Sequence, residues 1–202
     1  MMLSLVFIFS CAGFYNEIKL DRLSYYATNK SDDNTVSLSY AYGVLDGANN
    51  KKYAKREDKS NVNVVALKLT NNTDRTLSFP EDYEFTYYQG ELIIPMNRED
   101  TYSKVKQKGI GFYLFWLFAN ITINNSSTDS YGNYQNDQIF IPSGIAIAAA
   151  NIIVATSANG KFKRQLLKYD LSLKKIKPKE TAYGLIGMNT SETREIRIRL
   201  KQ

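Results

Sequence analysis

Val62-Asn-Val-Val-Ala-Leu-Lys-Leu-Thr70, closed by Asn71-Asn-Thr-Asp74, is the stretch whose reading decides the fold class. Val65, Leu67 and Leu69 recur every second residue, the period of a strand with one buried face. The Asn/Thr/Asp cluster that follows has the side chains that bond their own backbone and close a turn. Working outward, Val36 to Gly43 alternates Val36, Leu38, Tyr40 and Tyr42 with small residues, which predicts a second strand. Residues 76–79, 83–88 and 92–94 read as three more, separated by Pro80-Glu-Asp82 and Gln89-Gly90. Near the far end, 183–188 and 196–200 form a pair around Asn189-Thr-Ser-Glu192. Short strands with turn residues between them predict an antiparallel sandwich.

Composition agrees with this reading and removes several chemistries. The 202-residue chain is long enough for one core, and its fifteen Tyr and ten Phe favour pleated, half-buried surfaces. It holds no histidine, which rules out serine-histidine and cysteine-histidine catalysis and histidine-ligated metals. The single cysteine, Cys11, excludes an intramolecular disulfide and a multi-cysteine zinc site. No P-loop is present, Gly109-Ile-Gly111 is too short for a dinucleotide fingerprint, and adjacent acids such as Asp32-Asp33 and Glu57-Asp58 fit solvated turns. No enzyme, cofactor or metal is expected. The net charge of +6 favours anionic surfaces. The basic tract 51–59 carries one Tyr, but nucleic acid is not the expected partner.

The order of the first residues is informative. Met1 to Ser10 is apolar and uncharged, too short to span a bilayer and suited to a signal-peptide core. Phe7-Ile-Phe-Ser-Cys11 resembles the lipobox of bacterial lipoproteins, although no Lys or Arg precedes it and Phe9 is bulky. The resemblance implies cleavage before Cys11 and a diacylglycerol on its thiol. The other reading of Cys11 is an ordinary buried cysteine on a first strand or helix.

Two further elements, Val64-Val-Ala-Leu-Lys-Leu-Thr-Asn-Asn-Thr-Asp74 and Ile176-Lys-Pro-Lys-Glu-Thr-Ala-Tyr-Gly-Leu-Ile186, resemble those of bacterial secreted and lipoprotein domains with immunoglobulin-like folds. That resemblance implies an immunoglobulin-like β-sandwich and an envelope location, facing the outer membrane or periplasm, and implies no activity.

Residues 109–123 and 138–159 carry no charge. The first is apolar around a whole helical circumference; the second places Gly144, Ala146, Ala148, Ala149 and Ala150 at spacings that let helices approach closely. Together they predict an apolar helical hairpin inserted at 109–168. Phe112, Phe115, Trp116, Phe118, Gly144 and Ala148 are the candidate membrane or partner contacts, with Lys161, Lys163 and Arg164 as a basic collar. A fifteen-residue helix is about 22 Å long, short of the roughly 30 Å hydrocarbon core. Packing on the sandwich or on a sister chain therefore stands beside insertion, and β-branched Ile121, Thr122 and Ile123 keep strands open as a third outcome.

The expected organisation is a signal peptide at 1–10, an anchor and linker at 11–35, and a mainly β (α+β) antiparallel sandwich at 36–202. The expected function is a lipid-anchored, non-catalytic binding or assembly module whose partners are membrane lipid or another envelope protein. A docked subunit of a membrane complex and a carboxylate-based hydrolase are the alternatives. Oligomeric state is not readable.

Overall fold

A computed structural model describes residues 12–108, 110–114, 121–128, 131, 134–141 and 143–201. They form two compact units: a body made of Gly13–Gln107 with Ala158 onward, and an excursion running from Lys108 to Ser157 with Ala12 beside it.

The body is mixed α/β with antiparallel strands. Its four-stranded sheet has the order β1 (Ala27–Lys30), β2 (Val36–Ala41), β3 (Asn63–Asn71), β10 (Thr181–Met188). A three-stranded sheet is built from β11 (Ile196–Leu200), β5 (Tyr83–Tyr87) and β6 (Leu92–Ile93), and β4 (Leu77–Ser78) pairs with β9 (Lys175–Ile176). β3 lies between β2 and β10, with Leu38 opposite Leu69 and Gly184 opposite Leu67. The expected parity holds, since Val65, Leu67 and Leu69 join Leu38, Tyr83, Phe85, Ile196 and Ile198 in the core between the sheets.

The opposite face of β3 is buried as well. Val64, Ala66 and Leu185 pack under α1 (Val44–Gly47), α2 (Lys51–Lys59), α3 (Arg98–Val105) and the C-terminal third of α5 (Ser143–Lys168) through Leu45, Tyr53, Val105, Phe162 and Leu166. This helical layer, absent from the sequence reading, makes the body three-layered. Only Tyr53 and Glu57 of the nine residues of α2 are buried, so its polar composition hides its one inward face. α3 did carry a signal: Asn97 caps it by accepting from the Asp100 amide at 2.7 Å.

β10 is pressed from both sides, which explains its glycines. A Cβ at Gly184 would lie 2.5 Å from Cγ of Leu171, and one at Gly187 would lie 2.1 Å from Oγ1 of Thr101 on α3. Neither separation is compatible with van der Waals packing.

Two expectations are corrected. The stretch 13–35, expected as linker, buries Tyr15, Ile18 and Leu20 in the helical-layer core and contributes β1 to the sheet. The insertion is not a pair of helices joined by a polar loop. α4 (Ile110–Leu114) is followed by β7 (Ile121–Thr128) and β8 (Tyr134–Ile141), paired from Ile121 with Ile141 to Thr128 with Tyr134, before α5 begins. Here β-branched Ile-Thr-Ile and Ile-Phe-Ile outweighed the absence of charge.

Candidate functional site

The chain passes between body and excursion at Gly13, at Gln107 and at Ala158. The body brings these crossing points together with side-chain amides. The Gly13 amide donates to Oε1 of Gln107 at 2.9 Å and Nε2 of Gln107 donates back to the Gly13 carbonyl at 2.6 Å. The Gln107 amide in turn donates to Oδ1 of Asn159 at 2.9 Å, and Nδ2 of Asn159 returns a 3.3 Å bond to the Gln107 carbonyl. The Tyr53 hydroxyl completes the cluster by donating to the same Oδ1 at 3.0 Å.

The same device continues along the N-terminal segment. Asn50 exchanges two bonds with the backbone of Asn16, at 2.7 and 2.9 Å, and Gln165 exchanges two with Ile18, at 3.1 and 2.7 Å. Residues 13–18 belong to no sheet, so buried amides stand where a neighbouring strand's peptide groups would be. Asn50, Gln107, Asn159 and Gln165 are all buried, and each joins residues more than thirty positions apart. No local sequence pattern could announce such pairs. The Tyr15 hydroxyl also donates to Oε1 of Gln165, and its burial drives its pKa well above the ordinary tyrosine range.

The crossing points also mark changes in charge. The longest uncharged runs of the chain are 1–16, 109–128 and 138–160; Gly13 and Asn159 of the cluster belong to the first and third, and Gln107 stands two positions before the second. Between Lys108 and Lys161 there is no Lys or Arg, only Asp129 and Asp137. Immediately outside stand Lys106 and Lys108 on one side and Lys161, Lys163, Arg164 and Lys168 on the other.

α5 changes character along its length. Its uncharged part turns Gly144, Ala148, Asn151 and Ala155 inward, whereas Ile145 and Ile153 are 61% and 68% exposed, with Ala149 exposed between them. Beyond Gly160 it keeps Phe162, Gln165 and Leu166 buried and turns Lys161, Lys163 and Arg164 to solvent. Gly144 to Lys168 is, among the described residues, the one helix long and apolar enough by length and composition to cross a membrane.

Of the residues singled out in the sequence, Cys11, Phe115, Trp116 and Phe118 lie outside the described residues. Phe112 is exposed and stacks under the Lys108 ammonium, 3.9 Å from the ring centroid. Gly144 and Ala148 are buried within the chain, whereas Ala146, Ala149 and Ala150 of the same stretch are exposed. Lys163 bonds Glu99 at 3.0 Å, which holds that carboxyl below its usual range. Lys161 and Arg164 have no acidic partner among the described residues.

A groove of about 600 Å³ in the body contains Glu99 and Asp170, but each is engaged: Glu99 with Lys163, and Asp170 with Arg98 at 3.0 Å. Among the described residues no three His, Cys, Asp or Glu side chains are placed to hold a metal ion. Glu57, expected with Asp58 in a solvated turn, is instead buried on the inward face of α2, the one buried acid among the described residues of the helical layer. Desolvation pushes its pKa from 4.5 to about 7, although its Oε1 accepts the Val64 amide. Protein-family models, curated proteins and solved structures yield no match to this chain.

Proposed function

We propose that this protein is a membrane-anchored, non-enzymatic binding or assembly module of a bacterial cell envelope, attached through a lipidated Cys11 and through its uncharged excursion. The observation that carries this reading is the convergence of all three uncharged runs on one clasp, Gly13–Gln107–Asn159, with cations just outside it. An anionic head-group layer attracts such cations by roughly 1 kcal/mol each near the surface.

The excursion supplies the apolar surface. Ser143 to Gly160 is uncharged and helical, a length of about 27 Å against roughly 30 Å of hydrocarbon. Ile145 and Ile153 project from it on a face free of charge. Cys11 precedes the clasped Gly13 by two residues, a reach of about 7 Å, so an acyl anchor would hold the body close to the bilayer. The body, with two facing antiparallel sheets, is read as an immunoglobulin-like sandwich carrying an added helical layer.

Fractionation of cells expressing the wild type and Cys11→Ala tests this. The wild type is expected in the membrane fraction after high-salt and carbonate washes. If Cys11→Ala remains in the membrane, the excursion inserts as proposed; if it becomes soluble, the acyl chain is the sole anchor and the excursion's part in the proposal is overturned. Release of the wild type by salt overturns the proposal.

A further inference from the structure

We infer that the body carries a phosphate-binding pocket, formed by Lys161, Arg164 and Lys168 with Tyr15 at its base, that takes the head group of an anionic phospholipid. This inference rests on the membrane reading above and names the lipid class that reading leaves open.

The pocket, about 320 Å³, lies between the extended segment 13–18 and the last turns of α5, and Glu17 and Gln165 complete its lining. Lys161, Arg164 and Lys168 follow one another at spacings of three and four, which places them on one helix face. Facing them is a single acid, Glu17, bonded to Lys168 at 3.2 Å with both groups largely exposed. Lys161 and Arg164 have no acid within ion-pair distance among the described residues, so the pocket keeps an excess of two positive charges.

Its walls are fixed from within. Gln165 is bonded to Ile18 through both its polar atoms and also receives the Tyr15 hydroxyl. Tyr15 is held further by Tyr53 and Phe162, with ring centroids 5.0 and 5.4 Å away. The lysines and the arginine therefore project from a braced frame, and a guanidinium beside two ammonium groups suits the oxygens of a phosphodiester.

Placement selects the source of the phosphate. Lys161 is the first charged residue after the uncharged run 138–160, two positions beyond the clasped Asn159. A cation at that point of a membrane-entering helix stands at head-group depth, where lipid phosphates are concentrated.

The test offers detergent-purified full-length protein an equal mixture of phosphatidylcholine vesicles and vesicles containing phosphatidylglycerol, each with its own fluorescent label. Bound protein is recovered by flotation. Wild type is expected to enrich on the phosphatidylglycerol vesicles about tenfold, and Lys161→Gln/Arg164→Gln/Lys168→Gln to float equally well without preference. Lys175→Gln/Lys177→Gln/Lys179→Gln removes the same charge from another part of the body and is expected to keep the preference. Equal loss in both triple variants, or no preference in wild type, overturns the pocket while leaving the membrane reading intact. Abolition of the preference by inorganic phosphate, but not by chloride of equal ionic strength, assigns the site to free phosphate and overturns the lipid assignment. Failure of the wild type to float with either vesicle defeats the membrane reading itself.

Discussion

Glu57→Gln separates the energetics of the body from everything proposed for the excursion. Glu57 is 5% exposed on the inward face of α2, and desolvation, reinforced by Asp58 and Asp46, moves its pKa from 4.5 to about 7. The folded state therefore binds this proton more tightly than the unfolded chain does. The contribution to stability is complete below about pH 4.5 and is lost progressively up to about pH 7. At 1.36 kcal/mol per unit of pKa, the loss amounts to about 3 kcal/mol. Glutamine preserves the volume and the acceptor for the Val64 amide and removes the titration.

Urea unfolding of the full chain in non-ionic detergent, followed by near-ultraviolet dichroism of its tyrosines, supplies the assay. Wild-type stability is expected to fall by about 3 kcal/mol between about pH 5 and about pH 8, while the variant stays level and becomes the more stable protein at the alkaline end. The window is clear because the chain has no histidine. A flat wild-type profile, or the same slope in Glu57→Gln, refutes the reasoning.

Three other substitutions probe the architecture. Gly187→Ala drives a methyl into Thr101 and is expected to cost about 1–3 kcal/mol, with partial recovery when Thr101→Ala is added; thermal melting reads both. Phe162→Ala empties a fully buried site among Tyr15, Tyr53 and Tyr102, and a loss of about 3–5 kcal/mol is expected in the same melt. Gln107→Ala leaves the Gly13 amide and carbonyl unpaired, at about 1–3 kcal/mol. Limited proteolysis should then cut within 13–18 well before the sheets are attacked, and an unchanged cleavage pattern would remove the clasp from the account.

The strands were legible in the sequence because their signals are local, but their partners were not: 183–188 and 196–200, expected as a pair, join β3 and β5 in separate sheets. β2, β3, β5, β10 and β11 each carry alternation or a bounding turn, and the face assigned to Val65, Leu67 and Leu69 is the face they present to the second sheet. What covers the other face was not legible. Val64 and Ala66 interrupt simple alternation, a mark of a strand buried on both sides, but the covering helices are polar and short. The excursion is recognisable as uncharged, but the helical hairpin expected for it gives way to strands, the third outcome that β-branched Ile121 to Ile123 kept open, because these residues pair with Ile139 to Ile141. The candidate site was half readable. Its cations and uncharged runs stand in the sequence, whereas the amides that gather the crossings act over separations of 94, 52, 34 and 147 residues.

The claim on which the account depends is that the exposed face of α5 leaves water. Because Cys11 is the only thiol, a Cys11→Ser chain carrying Ile153→Cys accepts a single environment-sensitive dye at the most exposed isoleucine of that helix, and Leu173→Cys, exposed on the body, serves as reference. On addition of vesicles the dye at 153 is expected to shift strongly to the blue and become shielded from aqueous iodide, while the dye at 173 stays solvent-like. Emission at 153 that remains solvent-like and fully quenched in the presence of vesicles would contradict the account.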